Sequence, residues 1–266
     1  MSWTLFRQSL RQNWFLWTLF TLILVFYLTM VVLMYQANGG AEPLLEVLAS
    51  LPPEFVSALH FNDLSVDYTG FILTVFYGLL AFAISLIYTA ILALRLFAGA
   101  DEDGSMSTLL AMPLSRLKVA LTKVVYFFVS IFLMYMVIAI AGFLLSYYLS
   151  EEVLAVGPYL LMNLAVFLLV SAVGALTLFA SMTFKVTLAS LLGVGVPVLF
   201  LVLYVAGAIS SQVSFLNWFT PYPLVHTGLV LDASLSLWLI CAALVLVSAA
   251  LSSLGVLFFI RRNIGE

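Results

Sequence analysis

The chain has 266 residues, of which 65% are hydrophobic and only 8% are charged, with a formal net charge of −3. Soluble domains carry roughly a quarter charged residues, so this composition excludes a soluble enzyme and indicates a polytopic membrane protein. The single cysteine, Cys241, excludes an internal disulfide framework, and the sequence contains no P-loop pattern for holding nucleotide phosphates.

The N-terminal segment, residues 1–14, has the pattern of an amphipathic helix. Its large apolar residues recur every three to four positions, while its arginines fall elsewhere on the helix wheel: Trp3, Phe6, Leu10 and Trp14, against Arg7 and Arg11. This pattern predicts a connecting helix on the inner membrane surface, with basic side chains toward lipid phosphates. The alternative is an ordinary basic flank of the first span.

Six apolar runs are long enough to cross a bilayer core, which needs about 20 residues in a helix. Backbone groups in lipid must be satisfied internally, and no barrel-like alternation is visible, so the spans are predicted to be helices. The predicted fold is therefore all-α, with one transmembrane domain over residues 1–266. The predicted spans are residues 15–36, 70–94, 124–149, 159–181, 190–210 and 237–260.

Charge placement predicts the orientation of these spans. If the N-terminus is cytoplasmic, all nine basic residues fall on the cytoplasmic side and the outer segments contain none. This asymmetry follows the positive-inside rule. We therefore expect both termini, and the connector at residues 101–116, to be cytoplasmic.

Two outer segments are longer than simple loops. Residues 37–69 are predicted to form one or two short amphipathic helices, broken at Pro52 and Pro53. Residues 211–236 are aromatic but too polar and proline-broken to cross the membrane. Such a segment is typical of a re-entrant element that dips into the outer leaflet or lies at headgroup depth.

The predicted spans contain no charged residue, which argues against a proton-driven or ion-coupled carrier. Both histidines, His60 and His226, fall in outer segments, and no catalytic or metal-ligating constellation is visible. We therefore expect no enzyme activity, metal or cofactor on this chain. The chain is therefore either passive, or it receives energy from a partner protein that contacts a cytoplasmic connector.

The connector at residues 101–116 reads DEDGSMSTLLAMPLSR. Its acids and small hydroxyls favour a helix N-terminus, and Pro113 stops or bends the helix that follows. Ser115 is a candidate cap for a new helix that continues into the third span. The pattern predicts a short helix lying across the inner surface, where a partner could dock.

This connector resembles the pattern E-x-G-[ST]-x-x-x-L-L-x-x-P-x-[ST]-R of the membrane subunits of type-2 ABC exporters. The ending FFIRRNIGE, the N-terminal helix and the segment 211–236 are also similar to that family's elements. Asp103 and Asn263 depart from the residues usual there. The residues that the resemblance assigns to ATPase coupling are Glu102, Gly104, Ser105, Thr108, Leu109, Leu110, Pro113, Ser115 and Arg116.

The resemblance implies a permease subunit whose residues 101–116 form a coupling helix seated in a P-loop ATPase subunit. It also implies a homodimer, or a dimer with a close paralogue, in the plasma (inner) membrane of a prokaryote. ATP and Mg would be bound by the partner ATPase, and nucleic acid has no part. By the same analogy, candidate pathway residues are Tyr77, Ser85, Tyr88, Gly193, Pro197 and Tyr204, for which ordinary bundle packing is the alternative.

Three other functions stay open from the sequence. They are a passive scaffold or assembly factor, a channel or secondary carrier, and an intramembrane enzyme. The substrate is not readable, although a lining rich in Phe, Leu, Met and Tyr favours amphipathic or lipidic cargo over small ions.

Overall fold

The computed structural model describes residues 2–58, 61, 64, 67–104, 106, 115–209 and 211–261. Over these residues the chain is helical and contains no β-strand, and six helices are long and apolar enough to cross a membrane. This confirms the predicted fold class. The long helices are α1 (Trp3–Ala37), α5 (Leu79–Leu96), α7 (Arg116–Leu149), α8 (Val156–Thr183), α9 (Val186–Ile209) and α11 (Leu235–Arg261).

Shorter helices connect the spans on one side of the bundle and extend the second span. They are α2 (Glu42–Ser50), α3 (Pro53–Ala58), α4 (Tyr68–Phe76), α6 (Ala98–Glu102) and α10 (Thr227–Leu231). Two 3₁₀ helices, Ser211–Phe219 and Tyr222–Leu224, follow α9. The predicted break of the outer segment at Pro52 and Pro53 is present between α2 and α3.

Helix α8 lies at the centre of the bundle, where α5, α7, α9 and α11 pack around it. Of its apolar stretch 72% is buried, against 17% for α9, which lies at the periphery. Small residues allow the close approach: a Cβ on Gly174 would lie 3.0 Å from Phe127 Cζ and 3.2 Å from Thr89 Cβ. At other crossings the glycine lies on the neighbouring helix, as with Gly142 of α7 against Tyr159 and Gly193 of α9 against Thr177.

Helix α1 runs without a break through both the N-terminal segment 1–14 and the predicted span 15–36. Between its ends the sequence has no proline or glycine to interrupt the backbone hydrogen bonds. The amphipathic pattern is therefore the first part of a 35-residue helix. Ser9 and Asn13 face the bundle, whereas Trp14 is exposed.

The second predicted span is wrong as one continuous helix, because the chain breaks at Tyr77 and Gly78 between α4 and α5. A Cβ at Gly78 would lie 2.8 Å from Thr74 O, so the turn requires a glycine. Tyr77 is buried at the break, and Asn163 Nδ2 on α8 donates to its hydroxyl at 2.6 Å. This hydrogen bond satisfies a polar group inside the bundle.

Replacing Asn163 with leucine should lower the free energy of unfolding by about 1–2 kcal/mol, because the Tyr77 hydroxyl is left buried without its donor. Thermal unfolding in detergent measures the effect. The double variant Asn163→Leu with Tyr77→Phe removes both polar partners and should unfold closer to wild type. If the double variant loses as much free energy of unfolding as the two single variants combined, or more, this role of the hydrogen bond is contradicted.

Hydrogen bonds identify two ends of the bundle. At the first, Tyr35 Oη donates to Glu152 Oε1 at 3.0 Å, and Tyr68 Oη shares a hydrogen bond with Ser146 Oγ at 2.7 Å. We call this the acidic end. At the opposite end, which we call the basic end, Ser2 N donates to Thr122 Oγ1 at 3.0 Å.

The segment between α9 and α11 folds back against the bundle near the acidic end. Tyr222 is fully buried, donates to Pro197 O at 3.3 Å, and packs on Tyr204 with ring centroids 5.5 Å apart. Thr227 shares a hydrogen bond with Thr74 at 3.1 Å. None of its helices is long enough to cross a membrane, and its depth in the bilayer stays a prediction.

Candidate coupling and transport site

The connector predicted to couple this chain to an ATPase begins where α6 ends. Asp101 and Glu102 form the last turn of α6, so these two acids end one helix. The helix that they are predicted to precede lies almost entirely outside the described residues, and its start stays a prediction. Gly104 follows with φ +72°, the left-handed conformation that glycine adopts without a steric penalty and that commonly ends a helix. Glu102 is exposed at this end.

Most of the central connector lies outside the described residues, including Ser105, Thr108, Leu109, Leu110 and Pro113. Met106 is described and is 1% exposed, packed into the main hydrophobic core. The connector is therefore anchored to the bundle soon after Gly104.

The C-terminal end of the connector is held by the start of α7. Ser115 caps this helix as predicted, with its Oγ accepting from Lys118 N at 3.4 Å. Arg116 Nη1 donates to Ile260 O at 3.5 Å, in the last turn of α11. A cation beside these terminal carbonyls also interacts favourably with the helix dipole.

The N-terminal end of the connector is also held against α11. Phe97, at the joint between α5 and α6, packs edge-on against Phe259 with ring centroids 5.4 Å apart. Helix α6 contacts α9 as well. Sequence reasoning missed Phe97 and Phe259, because an aromatic pair separated by 162 positions carries no local signal.

Three pathway candidates, Tyr77, Ser85 and Tyr88, are buried inside the single chain. Ser85 Oγ and Tyr135 Oη share a hydrogen bond of 2.9 Å, and Tyr88 packs on Phe20 with centroids 5.7 Å apart. These contacts are internal to the bundle. Their role in a pathway stays a prediction.

The candidates on α9 lie in different surroundings. Pro197 lines an apolar groove between α5 and α9, together with Leu86 and Leu201. Tyr204 shares a small pocket with Tyr77 near the acidic end. Gly193 packs against α8, where its carbonyl accepts from Thr177 Oγ1. The structure therefore places Tyr77 and Tyr204 on one pocket, whereas Pro197 lines a different groove.

A polar cavity at the basic end was also missed by sequence reasoning. It lies between α1, α5, α6 and α7, and Lys123 is at its buried side. The only local signal was a lysine directly before the apolar run that starts at Val124. Among the described residues no group of His, Cys, Asp and Glu could hold a metal ion.

Comparison with known families gives a match over nearly the whole chain. A family model described as an ABC-2 family transporter protein matches residues 2–262. The match includes every helix given above and both sides of the 101–116 connector. No curated protein matches the chain significantly.

Proposed function

The chain belongs to the ABC-2 family of transporter proteins and is a multi-pass membrane subunit of an ABC transporter; we propose that separate P-loop ATPase subunits drive it through residues 101–116. Two copies, or this chain and a close paralogue, would enclose the substrate pathway. ATP and Mg would be bound on the ATPase subunits. The pathway subunit itself would carry out no chemistry.

The observation that carries this proposal is the anchoring of the connector at both ends. Its start is joined to α5 and α6 through Phe97, which packs on Phe259 of α11. Its end is joined to α7, whose first residue, Arg116, donates to Ile260 O of α11. A displacement of the connector would therefore reach α5, α7 and α11 together.

We further propose that the direction of transport is export across a prokaryotic inner membrane, with the basic end in the cytoplasm. The distribution of basic residues supports this orientation, because the outer segments contain none. ATP binding would close the ATPase subunits on the connector and shift the membrane subunits toward an outward-open state. Such a shift requires only that ATP binds the two states with different affinity.

The peripheral position of α9 leaves an apolar surface that a second subunit would cover in the proposed dimer. Large apolar side chains on this helix are exposed, among them Leu191, Leu199 and Val202. In a monomer they would face lipid, and in a dimer they would face the second subunit or the pathway.

Purification of the tagged chain from membranes in mild detergent tests the ATPase partnership. We expect a P-loop ATPase chain in near-equal amount, identified by mass spectrometry, together with Mg-dependent ATP hydrolysis in the eluate. Recovery of the chain with no ATPase would contradict the proposal and favour a passive scaffold or carrier.

The Glu102→Lys variant should reduce ATPase recovery or transport-coupled hydrolysis by about tenfold, because reversing an exposed charge at a docking surface opposes association. Glu102 is a cleaner probe than Arg116, which is bonded within the chain. The matched control is Glu151→Lys, an exposed acid at the opposite end of the bundle. Equal losses in both variants, or no loss in Glu102→Lys, would contradict coupling at this surface.

A further inference from the structure

The polar cavity at the basic end has a volume of about 400 Å³ and is built like a binding site. Its polar lining consists of an exposed rim and a buried floor. The polar side chains of the rim are Gln8, Gln12, Arg95 and Asp103. The polar side chains of the floor are Ser9, Asn13 and Lys123.

The floor holds a buried positive charge that lacks a carboxylate partner. Lys123 is only 9% exposed, its Nζ donates to Leu96 O, and it lies 5.4 Å from the centroid of the Phe97 ring. An ammonium has three donors and needs a negative charge when it is buried. Over the described part of the chain, no acid forms an ion pair with Lys123 or with Arg95 on the rim.

The neighbouring polar groups suit an anion with several oxygen atoms. Asn13 Nδ2 donates to Ser9 O at 3.0 Å, which fixes the Asn13 side chain at the floor. The Ser9 hydroxyl and the amide of Gln12 supply further donors beside the two cations. Such a combination of cations and neutral donors matches the acceptor oxygens of a phosphate group.

The carboxylate of Asp103 restricts which phosphate compound fits. It lines the same cavity as Arg95 and Lys123, so the three formal charges sum to a single positive charge. A phosphodiester carries one negative charge and balances this sum, whereas a doubly charged phosphate would leave one negative charge in excess beside the carboxylate. Asp103 can also accept a hydrogen bond from a donor attached to the phosphate.

The position of the cavity indicates the source of this phosphodiester. Its wall is formed by the start of α1, where Trp3 is 70% exposed and Trp14 is 59% exposed. Exposed tryptophans on a membrane protein mark headgroup depth. The α1 residues of the cavity lie between these two tryptophans, so we expect its rim near the depth of the lipid phosphates.

We propose that this cavity binds the phosphodiester of a membrane lipid whose headgroup carries a hydrogen-bond donor. Lys123 and Arg95 contact the phosphate oxygens, and Asp103 accepts from the headgroup. Phosphatidylethanolamine and phosphatidylglycerol meet this description, and phosphatidylcholine does not because its ammonium has no N–H. The site requires only membrane insertion and is independent of ATPase coupling.

Native mass spectrometry of the purified full-length chain, titrated with single lipids in detergent, tests the proposal. We expect phosphatidylethanolamine to bind several-fold more tightly than phosphatidylcholine, which has the same net charge. Millimolar inorganic phosphate should not displace it. Equal binding of the two lipids would overturn the headgroup assignment, and displacement by inorganic phosphate would identify a free-phosphate site instead.

Two variants locate the binding. Lys123→Met keeps the length and apolar stem of the side chain, and Arg95→Gln changes an exposed side chain. Each should weaken phosphatidylethanolamine binding by about tenfold through loss of a charge-assisted hydrogen bond. The control is Lys118→Gln, an exposed residue on α7 outside the cavity wall. Unchanged binding in Arg95→Gln and Lys123→Met, or an equal loss in the control, would overturn the proposal.

Discussion

Substitution of valine for Gly142 is expected to separate α7 from α8 and to lower the free energy of unfolding by about 3 kcal/mol or more. Even a Cβ at this position would overlap the hydroxyl of Tyr159 and lie 2.5 Å from its Cζ. Gly142 is therefore the point at which α7 makes room for a tyrosine of the central helix.

Tyr159 cannot move aside without further loss. Its hydroxyl donates to Ile138 O at 2.9 Å, and its ring is fully buried. Phe143 packs edge-on against the ring at 5.3 Å, and Tyr77 lies at 6.1 Å on another side. A larger residue at position 142 would break the hydrogen bond as well as the packing.

Thermal unfolding in detergent and the yield of monodisperse protein measure this effect. The control is Gly157→Ala, near the start of α8, where a Cβ would meet nothing within 4 Å. This control should be neutral or slightly stabilising, since alanine favours a helix over glycine by up to about 1 kcal/mol. Adding Tyr159→Leu to Gly142→Val should restore part of the stability. A Gly142→Val protein as stable as the control would refute the contact.

The second large effect is expected for Gly193→Leu, which should loosen α9 from the central helix. A Cβ here would lie 3.0 Å from Thr177 Cγ2, 3.2 Å from Thr177 Cα and 3.3 Å from Ala180 Cβ. The Thr177 hydroxyl also donates to Gly193 O, so the two backbones are in close contact. Only 17% of the apolar stretch of α9 is buried, so we expect the close contact at Gly193 to be a large part of what holds this helix against α8.

Hydrogen–deuterium exchange of α9 measures the loosening. A loss of about 2 kcal/mol in local opening free energy corresponds to roughly 30-fold faster exchange of its protected amides. The control is Gly195→Leu, two residues along the same helix, where a Cβ would meet nothing within 4 Å. Protection that stays at the wild-type level in Gly193→Leu would show that α9 does not depend on this contact.

The membrane spans were readable because the bilayer imposes a simple rule. A helix that crosses it needs about 20 apolar residues, and this rule acts on each segment separately. All six spans follow from it. The proline break between α2 and α3 was readable for a different local reason, because proline cannot continue a helix. The cap at Ser115 was also predicted, because capping depends on residues only a few positions apart.

The break of the second span was not readable, because hydropathy does not register a turn inside an apolar run. Gly78 is compatible with an intact helix, and what favours the break is the burial of Tyr77 against Asn163, 86 positions further along the chain. For a related reason, the sequence left open whether residues 1–14 form a separate connecting helix or a flank of the first span. A change in polarity at the membrane surface need not interrupt backbone hydrogen bonds.

The sequence by itself determined that this is a six-span membrane protein with a patterned connector of the ABC type-2 kind, since composition, span length and a local motif need no knowledge of neighbours. Only the tertiary structure decided that Arg116 reaches the end of α11, that Tyr159 lies against Gly142, and that Lys123 is the buried floor of a polar cavity. Each of these depends on which helix faces which. In a bundle whose faces are nearly all apolar, that choice is made by side-chain shape and hydrogen bonding between distant residues, which hydropathy does not encode.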